Sequence, residues 1–240
     1  MIFETLILLV GAVAGGIATI AGFGIGSLLT PLLAIKVGTG VAVAGVSIAH
    51  FFGTGLRFFF WRKDINKKIL LSFGLTSAAG GLIGALLHNS LYNFFLTIIF
   101  GCLLVFAGGM GLTGLSKKLR FEGIWAWIAG GLSGLFGGLV GNQGGIRSAS
   151  MLGFNLKQKE FVATATGIAL MVDVARTPVY LAVQGREIAA IWLFIVLATI
   201  GVFIGTVIGG WILKKIPEKI FNRTVSAIIL LVGIFVLIHR

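Results

Sequence analysis

Eight apolar runs, each about as long as a bilayer is thick, limit this chain more than any other feature. They cover residues 5–21, 41–61, 69–87, 91–113, 124–140, 161–183, 188–213 and 220–238 of 240. A helix needs roughly 20 apolar residues to cross about 30 Å of hydrocarbon, and the stretches between the runs are too short to fold as separate domains. Composition agrees: 58% of residues are hydrophobic and 11% charged, against about 25% charged in an ordinary soluble domain. A 25.3 kDa globule has too much surface to hide that much apolar side chain. Lipid is therefore the solvent for most of it. The expected fold class is an all-α polytopic membrane protein of about eight transmembrane helices, forming a single domain over 1–240. Disorder and disulfide-stapled folds are excluded by the same composition, and the lone Cys102 has no partner within the chain.

The net charge of +12 raises nucleic acid as a partner. In a membrane protein such an excess collects in cytoplasmic loops and orients the chain, and it contacts anionic lipid head groups. No basic, aromatic-interleaved domain lies outside the apolar runs, so lipid is the expected partner and nucleic acid is not.

Two further segments, 22–35 and 141–155, are too short or too polar to face lipid. Each opens on a glycine cluster, Gly22-Phe23-Gly24-Ile25-Gly26 in one and Gly141-Asn142-Gln143-Gly144-Gly145 in the other. Irregular backbone at membrane depth is tolerated only where protein or water surrounds it. These segments are read as broken or re-entrant, and they are where function is sought first.

They also reveal a repeat. A shift of 119 residues pairs Gly11 with Gly130, Gly15 with Gly134, Gly22 with Gly141, Gly26 with Gly145 and Arg57 with Arg176. With two more residues inserted, Gly80 matches Gly201 and Gly84 matches Gly205. Glycine matches are cheap in a chain with 37 of them, whereas two in-register arginines inside apolar helices are not. The chain reads as a duplication with halves of about 1–119 and 120–240, a common transporter plan.

Charge chooses between parallel and inverted halves. If 5–35 and 124–155 are helical hairpins that return to their starting side, one side holds Arg62, Lys63, Lys67, Lys68, Lys117, Lys118, Arg120, Lys157, Lys159, Lys214, Lys215, Lys219 and Arg223. The other then holds only Lys36, Arg186 and Arg240. The parallel alternative leaves the cations almost evenly divided. The hairpin arrangement obeys the positive-inside rule far better, so inverted repeats are expected, with both termini away from the cytoplasm.

In that arrangement the two tips meet near the midplane, with returning helices beginning near Ser27 and Ile146. Helix N-termini carry free N–H groups and about half a positive charge, which suits an anion. Glycine tips let backbone N–H groups converge. The candidate binding residues are Gly22, Gly24, Gly26, Ser27, Asn142, Gln143, Gly144, Gly145, Arg147 and Ser148. Arg147 offers a planar charged fork matched to an oxyanion, with a snorkelling loop charge as the alternative. Gly11, Gly15, Gly130 and Gly134, spaced by four, read instead as packing glycines.

Charges inside apolar helices are costly, which singles out His50, Arg57, Asp173 and Arg176. Asp173 and Arg176 are three apart on one helix face and can pair. Either that pair is structural, or Arg57 and Arg176 are symmetric anion contacts and Asp173 responds to protons. His50 titrates near neutrality when unperturbed, so it is a second proton-coupling candidate; the plainer reading is a hydrogen bond to a neighbour. Ser47, Thr54, Thr164 and Thr166 either line a polar path or bond back to their own helices. Enzyme signatures are missing, with no paired carboxylates and no G-x-S-x-G. His50, His88 and His239 are too scattered to bind a metal. No cofactor is implied.

The run Gly15-Gly16-Ile17-Ala18-Thr19-Ile20-Ala21-Gly22-Phe23-Gly24-Ile25-Gly26, followed by Pro31, resembles the first glycine motif of the sulfite exporter TauE/SafE family. Gly134-Leu135-Phe136-Gly137-Gly138 with Asn142-Gln143-Gly144-Gly145-Ile146-Arg147-Ser148 resembles a variant of the second, as does Val172-Asp173-Val174-Ala175-Arg176-Thr177-Pro178-Val179-Tyr180. Ser150 stands where the first copy has Pro31, and Gln143 replaces a glycine of the commoner pattern, so the tips are unequal. The resemblance implies a multi-pass permease of the cytoplasmic (inner) membrane of a bacterium or archaeon, moving sulfite or an organosulfonate. The expected function is a secondary transporter working by alternating access, an exporter in the family's sense. A passive anion channel of the same fold and a non-transporting membrane scaffold are the alternatives. Expected partners are the sulfur anion, membrane lipid and further copies of the chain in a homo-oligomer.

Overall fold

The computed structural model describes residues 2–91, 94–113, 123–141, 144–154 and 156–238. Asn142 and Gln143 fall outside them. Among the described residues the chain is all helical, in the order α1 Ile2–Ala21, α2 Ile25–Val37, α3 Thr39–Trp61, α4 Lys67–Leu91, α5 Phe94–Leu112, α6 Ile124–Val140, α7 Gly144–Met151, α8 Gln158–Ala190, α9 Trp192–Lys215 and α10 Glu218–Ile238. Short 3-10 turns over Arg62–Asp64 and Leu152–Phe154 follow α3 and α7. Among the described residues α1, α3, α4, α8 and α9 are each long and apolar enough to cross a membrane. The outer faces of the helices present large apolar side chains such as Trp125, Trp192, Trp211 and Leu231. A soluble protein would not leave so many exposed, and here they meet hydrocarbon.

Between helices, lipid supplies no hydrophobic drive, so close backbone contact must hold them together. α1 lies along α9 in the same direction, and α4 lies along α6 in the same direction. The packing glycines sit at these two seams. A Cβ on Gly15 would fall 3.0 Å from the Cα of Val202, and one on Gly134 would fall 2.8 Å from the Cα of Ser77. The matching faces supply glycines in return, Gly201 against Leu8 and Ala12 and Gly80 against Gly131 and Leu135. α3 and α8 cross antiparallel through the middle.

The ends of the helices fix the paths of the two hairpins. Lys36, at the end of α2, places its ammonium 5.2 Å from the ring of Phe3 at the start of α1. That α1–α2 hairpin therefore comes back to the end it left. Phe3 also meets Phe194, at the start of α9, with ring centroids 5.5 Å apart. α6 starts at the opposite end, beside the first turns of α4, and Phe154 after α7 returns to Phe73 of α4 at 6.4 Å. Asn66, in the α3–α4 turn at that second end, donates to Thr164 Oγ1 at 2.8 Å and to Glu160 at 2.7 Å. The same end carries Arg62, Lys63, Lys67, Lys68, Lys157, Lys159, Lys214 and Lys215.

Candidate functional site: buried arginines between two glycine tips

The α1–α2 tip turns at Gly22 (φ +79°) and Gly24 (φ +142°), conformations that a side chain makes costly. α2 begins at Ile25 and α7 at Gly144, two residues earlier in each case than expected from Ser27 and Ile146. At the first tip the glycine turn is tight enough for the helix to resume at once. The two tips touch. Arg147 Nη2 donates to the carbonyl of Gly22 at 2.7 Å, and Ser148 Oγ donates to that of Ala21 at 2.8 Å. These carbonyls are among those a helix end leaves unpaired. A Cβ on Gly144 would lie 3.0 Å from the Cα of Phe23, so glycine is what allows the tips this close. Gly26 and Ser27 are buried in the first turn of α2, and Gly145 packs on Leu104 of α5.

The antiparallel crossing of α3 and α8 brings the intramembrane polar residues to one place. His50 Nδ1 and Asp173 Oδ2 are 2.6 Å apart, and Thr54 Oγ1 lies 3.2 Å from the same ring nitrogen. Arg176 donates to Asp173 Oδ1 from Nε at 3.1 Å and from Nη2 at 3.0 Å. Its Nη1 reaches the carbonyl of Gly137 in α6 at 2.8 Å. Arg57 has one partner, donating from Nη2 to Thr54 Oγ1 at 3.1 Å. The two arginines related by the 119-residue shift are thus unlike: Arg176 is neutralised by Asp173 and tied to the second tip, while Arg57 is almost bare. The acid is the difference, because the shift places Thr54 opposite Asp173 in the first half.

Of the four hydroxyls left open by the sequence, Ser47 bonds back to Ala44 and Thr164 caps the α3–α4 turn. Thr54 joins the network, and Thr166 is buried with no partner. Tyr180 was not singled out by the sequence, yet its hydroxyl donates to the carbonyl of Gly138 at 2.6 Å. A tyrosine one turn beyond Arg176 in an apolar helix was the available signal.

Arg57, Arg147 and Arg176 are each 1% exposed, and Asp173 is fully buried. It is the only acid among the buried charged residues described, so with His50 neutral the cluster carries two uncompensated positive charges. Four guanidinium nitrogens, Nε and Nη1 of Arg57 and of Arg147, have no partner among the described residues. Buried polar groups are nearly always satisfied, and an unpaired buried cation is among the most expensive things a protein can hold. The chemistry that completes such a site is an anion with several acceptor oxygens. Among the described residues, no group of three or more His, Cys, Asp or Glu side chains could hold a metal.

These features define a polytopic α-helical membrane protein whose interior carries an excess of positive charge. A protein-family model described as "Sulfite exporter TauE/SafE" matches residues 7–236. The chain belongs to the sulfite exporter TauE/SafE family, a family of membrane transporters of sulfur-containing anions and not of enzymes. No curated protein and no solved structure matches it.

Proposed function

We propose that the protein is a secondary transporter of a small sulfur-containing oxyanion, sulfite or an organosulfonate, across the cytoplasmic membrane of a bacterium or archaeon. Four unpaired nitrogens on two fully buried arginines carry this reading. Arg147 and Arg57 bind the anion. The helix starts behind Gly22, Gly24, Gly26 and Ser27, and behind Gly144, Gly145 and Ser148, add backbone N–H donors. Asn142 and Gln143, next to the second tip in sequence, add side-chain amides. Arg176 acts from behind, holding Asp173 and the second tip in place, and His50 with Asp173 couples movement to protons.

The two halves, about 1–119 and 120–240, act as inverted repeats. Support comes from the seams, where α1 against α9 becomes α6 against α4 when the halves are exchanged. The hairpins also enter from opposite ends. Exclusion of solvent from both arginines fits a closed intermediate of alternating access better than an open channel. A scaffold without cargo would have no use for two unbalanced buried charges.

The test is sulfite binding and uptake by purified protein in liposomes, against sulfate, thiosulfate and chloride, with and without a pH gradient. Saturable sulfite binding with gradient-sensitive uptake is the expected result. No binding of any of these anions by folded protein overturns the proposal.

A further inference from the structure

A second feature lies between the arginines and the basic end of the molecule. A cavity of about 420 Å³ opens between the C-terminal turns of α3 and α9 and the first turn of α8. Lys159 and Lys214 stand at its wall with Asp64, which leaves one positive charge over, Thr206 lines it as well, and the exposed Phe60 and Trp211 form its outer side. Thr206 is completely buried, and its hydroxyl has no partner. That is unusual, because a helical threonine ordinarily bonds back to a carbonyl of its own preceding turn. Thr199, two turns earlier on the same helix, does so at 2.7 Å.

The register of α3 on α9 says at what level the hydroxyl lies. A Cβ on Gly53 would lie 3.6 Å from the Cβ of Val202, and one on Gly210 would lie 3.5 Å from the ring of Trp61. Arg57 is midway between Gly53 and Trp61, and Thr206 is midway between Val202 and Gly210. That register puts Arg57 and Thr206 at the same level of the α3–α9 seam. Thr206 thus lies level with Arg57 and lines a cavity whose wall includes two lysines of the basic end.

We infer that this cavity is the cytoplasmic mouth of the transport path, and that Thr206 binds the oxyanion together with Arg57, with Lys159 and Lys214 drawing anions to the opening. The inference rests on the oxyanion reading above and extends it to residues on α8 and α9. Substrate oxyanion and lipid phosphate share the chemistry the lysines recognise, so the test must separate them.

Sulfite binding to the purified protein is measured by calorimetry, and uptake is measured in liposomes made of phosphatidylcholine alone. Thr206→Val removes the hydroxyl at constant shape and is expected to weaken sulfite binding about tenfold or more, the loss of one hydrogen bond to a charged group. Thr206→Ser restores it. Lys159→Gln with Lys214→Gln is expected to slow uptake several-fold at low ionic strength, with the difference fading near 1 M salt, where screening acts over about 3 Å. Wild-type affinity in folded Thr206→Val overturns the inference while leaving the oxyanion reading intact if Arg147→Ala has lost binding. A lysine effect that appears only when anionic lipid is added makes the groove a lipid site and overturns it too. No binding of sulfite, sulfate, thiosulfate or chloride by the wild type removes both readings together.

Discussion

Replacing Arg147 by methionine should move stability and binding in opposite directions. Arg147 is 1% exposed and keeps one hydrogen bond to protein, 2.7 Å from Nη2 to the carbonyl of Gly22, while Nε and Nη1 have no partner. In the empty protein the side chain therefore contributes one charge-assisted bond, worth roughly 1.5–3 kcal/mol. Against that stand the desolvation of a cation, several kcal/mol after relaxation, and repulsion from the other two buried arginines. Methionine fills similar volume without charge, so ligand-free Arg147→Met should unfold at or above the wild-type temperature. With the anion bound, the two free nitrogens each gain a charge-assisted bond. Their loss removes about 3–6 kcal/mol, or roughly 100-fold to 10,000-fold in affinity. Thermal unfolding in detergent with increasing sulfite reads both effects at once. At 100 times the wild-type Kd the wild type should gain about 2.7 kcal/mol and the variant at most about 0.4 kcal/mol. A structural arginine would show the reverse: destabilisation of about 3–5 kcal/mol on removing one partner of a buried pair, with the sulfite response unchanged. That outcome would refute the reasoning.

Asp173→Asn removes the one buried acid, raising the uncompensated charge while loosening His50 and Arg176. Destabilisation of about 3–5 kcal/mol is expected, recovered in part when Arg176→Met is added, as read by unfolding in detergent. Gly84→Val should prevent folding, because even a Cβ there falls 2.9 Å from the Cα of Gly138 and 3.0 Å from the nitrogen of Leu139. Gly55→Ala, with open space around it, should be neutral or stabilising by up to about 1 kcal/mol. The yield of monodisperse protein distinguishes the two. His50→Gln should retain sulfite binding within a few-fold and abolish the response of uptake to an imposed pH gradient. A gradient response equal to wild type in folded His50→Gln would remove His50 from the coupling.

Much of the fold was legible because lipid leaves so few choices. Apolar length marked the helices within a few residues: the run 124–140 coincides with α6, and 220–238 differs from α10 only at its start. The four-residue spacing of Gly11 and Gly15, and of Gly130 and Gly134, marked where backbones would meet, since only small residues allow that approach. Intramembrane charge pointed to His50, Arg57, Asp173 and Arg176 for the same reason, the cost of placing them there.

Partners across the bundle were not legible, because they depend on which helices cross and in what register. A spacing of three correctly allowed Asp173 to reach Arg176, but nothing in the chain said that His50, 123 residues away, would take the other carboxylate oxygen. Thr206 carried no distinguishing signal in an apolar helix until α3 was laid beside it. The sequence alone determined a membrane-spanning, all-helical protein with cations in its interior, because solvation by lipid is a property of segments. Only the tertiary structure decided that Arg176 is spoken for while Arg57 and Arg147 each keep two unpaired nitrogens, because hydrogen-bond satisfaction is a property of neighbours.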